Sequence, residues 1–156
     1  MNKLIAFILL IFITQLSYGQ VECKTDRFTG ETTCKTSFVD ISTSQSDAYR
    51  ANIIAAYNRQ YFFMILTTIS DDWQYLQTNN VYFLVDGNRI KLKLERVDSK
   101  IQSAGVIEQQ GFILTKEQIH MFAEAKKVEF KIADDVYTMP KEVISDLSEL
   151  LRKVSN

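Results

Sequence analysis

The chain has a single histidine, a single tryptophan, a single proline and two cysteines. One histidine excludes the multi-histidine metal sites, and it would leave a Ser-His-Asp triad resting on one ring. That residue, His120, falls beside Lys116 and Glu124 on a predicted helix, off the apolar stripe, and reads as a surface group. G-x-S-x-G, the P-loop, G-x-G-x-x-G and H-E-x-x-H are all missing. The expectation is no cofactor, no metal and no catalytic residue. Charge of one sign is missing too. With 18 basic and 19 acidic residues the net charge is −1, so there is no electrostatic footprint for nucleic acid or an anionic membrane surface. No apolar run reaches the roughly 20 residues a membrane-spanning helix needs. There is no internal repeat and no linker rich in Pro, Gly or Ser. With aromatics at 12%, the chain reads as folded and compact.

What is there begins with a leader. Residues 4–13 are an unbroken apolar run behind a start that holds Lys3, and Ser17 and Gly19 fall at the −3 and −1 positions if cleavage precedes Gln20. That is the layout of a secretory signal peptide over residues 1–19, leaving residues 20–156 as one compact α+β domain. The expected location is the periplasm or outside the cell. The absence of an N-x-Ser/Thr sequon fits a bacterial source.

The two cysteines then acquire a meaning. Residues 21–38 read as a hairpin with a four-residue loop, 27–30, that ends on Gly30, a residue able to take φ > 0. That loop sets Cys23 opposite Cys34 and Glu22 opposite Lys35, with Val21, Thr36 and Phe38 on the cysteine face. Two facing cysteines in an exported chain predict a disulfide. An offset of eleven residues is not C-x-x-C, which argues against a redox pair.

Two further hairpins are predicted. Residues 81–97 carry two apolar-rich runs around Gly87-Asn88, and a two-residue loop there pairs Val85 with Ile90, Phe83 with Leu92 and Val81 with Leu94. The second run alternates Ile90, Leu92 and Leu94 with Lys91, Lys93 and Glu95, one dry face and one wet. Residues 48–69 alternate and then turn almost wholly apolar, with a turn at Asn58-Arg59 that sets Phe62, Met64 and Leu66 against Ala55, Ile53 and Ala51. For residues 48–57 a strand is the expectation and a helix over 47–58 its competitor, since Ala48, Ala51, Ala55 and Ala56 favour helix.

Residues 70–80 read as a connection, and residues 98–111 as polar and weakly patterned, with a strand near 105–108 or a loop. Thr115 and Gln118 form a capping box, and Leu114 with Ile119 a hydrophobic staple, so a helix starts there. Lys126 and Lys127 are placed at its end. Residues 128–133 and 136–139 are short strands around a turn at Asp134-Asp135. Pro140 opens a closing helix with a stripe of Val143, Ile144, Leu147, Leu150, Leu151 and Val154, and Asp146 is assigned to its polar face.

The expected fold is therefore α+β, with about eight mostly antiparallel strands in a curved sheet or small sandwich and two amphipathic helices, one at the C-terminus. The expected function is a non-catalytic exported module that binds an unknown protein or envelope component. A carrier of a small apolar ligand between sheet and helices is the alternative, and an enzyme with an unrecognised site comes third. A ligand or partner surface is sought among Trp73, Tyr75, Tyr61 and Tyr82. It is placed where strands are apolar on both faces, around residues 61–66 and 82–84, or in the loops 70–80 and 98–111.

Overall fold

The structure, a computed structural model, describes residues 21–41, 50–58, 61–103 and 105–154. The predicted leader, residues 1–19, lies outside the described residues. The strands are β1 (Glu22–Thr25), β2 (Thr32–Lys35), β3 (Val39–Ile41), β4 (Arg50–Asn58), β5 (Tyr61–Ser70), β6 (Asn80–Val85), β7 (Asn88–Lys93), β8 (Glu95–Gln102) and β9 (Gly105–Leu114). Helix α1 (Lys116–Ala123) follows, then β10 (Val128–Ile132), β11 (Asp135–Thr138) and helix α2 (Lys141–Val154). The α+β class holds, with eleven strands among the described residues where about eight were expected. They form two antiparallel sheets. The larger runs β1-β2-β4-β5-β9-β8, with β3 also on β4, and the smaller runs β11-β10-β6-β7. No helix among the described residues is long and apolar enough to cross a membrane.

Alternation explains the packing. Phe62, Met64 and Leu66 point inward from β5, Phe112 and Leu114 from β9, Val81, Phe83 and Val85 from β6. The centre is Phe83, whose ring lies 5.3 Å from Phe112 of the larger sheet, 4.9 Å from Phe122 of α1 and 5.3 Å from Phe130 of β10. Edge-on and tilted ring pairs of this kind add to the burial of apolar area. Helix α2 lays its apolar stripe on β4 and β2 and meets α1, where the Ser148 hydroxyl donates to the Ala123 carbonyl at 2.8 Å.

The first hairpin has the predicted register, with Glu22 opposite Lys35 and a Cys23–Cys34 disulfide. Gly30 closes its loop at φ +71. Phe38, predicted on the cysteine face, is instead exposed. The Thr115/Gln118 capping box is present as predicted.

Both longer hairpins pair two residues away from the predicted register. In the central one Val85 faces Asn88, Phe83 faces Ile90 and Val81 faces Leu92, so the loop is Asp86-Gly87. Asp86 takes φ +47 and Gly87 φ +87, positive at both positions as a type I′ turn requires. Asp86 gains further partners there: its carboxylate accepts from the backbone N–H of Lys126 at 3.1 Å and Lys127 at 2.9 Å, and those bonds hold it below the usual carboxylate range. Lys126 and Lys127 therefore lie beyond α1, which ends at Ala123. In the other hairpin Tyr57 faces Phe62, Ala55 faces Met64 and Ile53 faces Leu66, and the predicted turn gives way to residues 59–60, outside the described residues. A shift of two keeps every side chain on its face, so the dry faces are as predicted. Residues 50–58 are strand, not helix.

Three expectations fall short for one reason, the burial of polar groups. Residues 98–111 are not a loop: the strand expected near 105–108 is there but runs on as β9, with β8 beside it, and β9 hides Glu108 and Gln110 on its inner face. Asp135 is no turn residue: the loop is Ala133-Asp134, with Ala133 at φ +50, and Asp135 opens β11 buried. Asp146, assigned to the wet face of α2, is buried with it. The predicted alternation of residues 90–95 holds, with Leu92 and Leu94 buried between exposed Lys91, Lys93 and Glu95, but the chain passes at Leu94 from the smaller sheet to the larger.

Candidate functional site

The four aromatic residues singled out from the sequence do not converge. Tyr75 is 1% exposed and belongs to the core. Its hydroxyl donates to Asp135 Oδ2 at 2.5 Å, and since it has one proton to give, the Tyr137 hydroxyl at 2.6 Å must donate to it. Burial, then the Asp135 carboxylate, pushes the Tyr75 hydroxyl far above its ordinary value. The backbone N–H groups of Gln74 and Tyr75 donate to the fully buried Glu108 carboxylate at 2.7 and 3.1 Å. Segment 71–79 is thus bonded to β9 through Glu108 and to β11 through Asp135. These are polar groups with partners in the interior and no exposed face to offer a substrate, which is the arrangement of a structural clasp. Trp73 sits half-buried on the same segment.

Tyr61 and Tyr82 lie on the outer faces of different sheets. On the larger sheet β5 sends Tyr61, Phe63, Ile65, Thr67 and Ile69 outward. Cross-strand pairing sets Phe63 beside Ala56 and Ile113, and Ile65 beside Ile54 and Gly111. Gly111 leaves a hollow that Val97, the bulge residue of β8, covers: a Cβ at 111 would meet Val97 Cγ2 at 2.7 Å. Phe63, Ile54 and Ile65 are half-buried, and Ile113, at 53% exposure, and Val97 and Tyr61 stand proud. The patch is flat, apolar and contiguous. A polar row, Thr67, Gln109 and Asp98, bounds it.

The smaller sheet presents two outward rows. One reads Val136, Lys131, Tyr82, Lys91 across β11, β10, β6 and β7, and the next reads Thr138, Glu129, Leu84, Arg89. All of these but Thr138 line a half-open groove of about 510 Å³. Its floor is apolar, from Tyr82, Leu84 and Val136, and the Lys91 ammonium lies 5.6 Å from the Tyr82 ring centre. Sequence patterning found both surfaces through one signal, strands apolar on both faces at residues 61–66 and 82–84. It did not extend the strand near 105–108 through β9 or recognise β8, whose outward Ile113 and Val97 complete the first patch, because buried Glu108 and Gln110 disguise the strand period.

Among the described residues no group of three or more His, Cys, Asp or Glu side chains lies close enough to hold a metal ion. His120 is exposed on α1. Set against protein-family models, curated proteins and solved structures, the chain matches none.

Proposed function

We propose that this chain is an exported, non-catalytic binding module that docks a protein partner on the outer face of its larger sheet. The observation that carries this reading is the uncovered apolar patch of Tyr61, Phe63, Ile65, Ile54, Val97 and Ile113. Strands β4, β5, β9 and β8 run eight to ten residues. At about 4.8 Å between strands and 3.3 Å per residue, the apolar part of this face, four strands wide and about five residues long, covers roughly 300 Å². That is within the range of the largest apolar patch on a typical monomer, and with its polar surround the face approaches the roughly 800 Å² each partner gives to a stable interface. The rim carries both signs, with Glu22 and Lys35 at one edge and Asp98 and Lys100 at the other, which suits a protein surface better than an anionic bilayer.

Export rests on the leader pattern of residues 1–19 and on the Cys23–Cys34 disulfide, a bond that persists in oxidising compartments such as a periplasm. The space between the sheets and α1 is filled by Phe83, Phe112, Phe122 and Phe130, which weighs against a carrier that holds its ligand there. The test is purification of the cross-linked chain from its native host, with mass spectrometry of what accompanies it. A defined protein should be recovered with the natural chain and lost with Ile113→Asp, an exposed change that leaves the core intact. Recovery of the same protein with both chains, or of none, would refute the proposal.

A further inference from the structure

The groove on the smaller sheet lies on a different face and carries its own chemistry. Its cations are unevenly matched. Glu129 is already held by Lys127 at 2.9 Å, and Lys131 reaches Asp134 at 3.5 Å, whereas Arg89 and Lys91 have no carboxylate within ion-pair distance among the described residues. Arg89 and Lys91 are two apart on β7 and so share the outer face, about 7 Å from one another, close enough for one oxyanion to sit between them. Across the sheet from that pair the floor runs over Leu84 and Tyr82 on β6, past the paired Glu129 and Lys131 on β10, to Val136 on β11. Three strand spacings make that path roughly 14 Å. The groove volume, about 510 Å³, is within the range of small-molecule sites.

We propose that this groove binds a monomeric anionic amphiphile, with its oxyanion head between Arg89 and Lys91 and its alkyl tail laid over Leu84, Tyr82 and Val136. Charge sets the polarity of the ligand, since the unmatched cations of β7 sit at one end of the groove while Glu129 and Lys131 on β10 are already paired. The proposal is independent of the partner face, and Ile113→Asp does not touch it. The test is isothermal titration of the full chain, purified from an exporting host, with sodium dodecanoate below its micelle concentration. Dodecyl maltoside, dodecyltrimethylammonium and phosphatidylglycerol vesicles serve as comparisons. Dodecanoate should bind at least about tenfold more tightly than the cationic amphiphile, the size expected for two solvent-exposed charge contacts. The double change Arg89→Ala/Lys91→Ala should remove that preference, Leu84→Asp should abolish binding, and Ile113→Asp should leave it unchanged. Absence of dodecanoate binding would overturn the proposal. So would equal affinity for the cationic amphiphile, an unaltered affinity in the double variant, or binding to vesicles alone.

Discussion

At the scale of single residues, the polar groups in the interior set how the two sheets are held in register with the segment between them. Tyr75 is the clearest case, a side chain whose ring is core and whose hydroxyl has two buried partners. Tyr75→Phe keeps the ring and leaves the Asp135 carboxylate and the Tyr137 hydroxyl without it. Loss of a partner to a buried charged group costs about 2–3 kcal/mol, which a urea denaturation curve at pH 7 should show as a lower midpoint with an unchanged slope. Were Tyr75 merely lining a surface, the same substitution would leave the midpoint where it was. None of this was legible in the sequence, where Tyr75 and Trp73 stood together in a polar connection as if for a ligand. An aromatic residue between polar neighbours looks the same whether its hydroxyl meets water or a buried carboxylate.

At the scale of elements, α2 illustrates both what patterning reads and what it misreads. Its stripe of Val143, Ile144, Leu147, Leu150 and Leu151 is buried as the helical spacing demands, yet Asp146 is buried beside it with one carboxylate oxygen unbonded. Burial, then the negative charges of Glu149 and Glu142, pushes its carboxyl up to about 6. The folded chain therefore holds a proton on Asp146 that the unfolded chain has released, over the interval from about 4 to 6. Its contribution to stability is greatest at the low end and is lost as pH rises through 6. Asp146→Asn should thus stabilise by about 1–2 kcal/mol at pH 7.5 and by about half as much at pH 5, measured by denaturation at both values. An equal effect at the two pH values would contradict a raised carboxyl. The hairpins teach a related lesson. Period two settles which face of a strand is dry, so Phe83, Leu92 and Met64 are inside as expected. It does not settle pairing to better than two residues, because a slip of two preserves every face. The choice was made by Asp86, through positive φ and the Lys126 and Lys127 amides forty residues away, a contact no local pattern contains.

At the scale of the molecule, two sheets and two helices close around Phe83, and each sheet keeps one face to itself. The predicted strands that were apolar on both sides mark those faces. The core accounts for one side of each strand, and the proposed partner and ligand would account for the other. The larger face is the better documented, since Val97 over Gly111 and Ile113 beside Phe63 make it continuous. The most direct measurement is in-cell photo-crosslinking with benzoylphenylalanine placed at position 113, and at the exposed position 120 of α1 as the comparison. Docking on the larger sheet predicts one discrete protein adduct from position 113 in the native host and none from 120. No adduct at 113, or the same adduct from both positions, would contradict it.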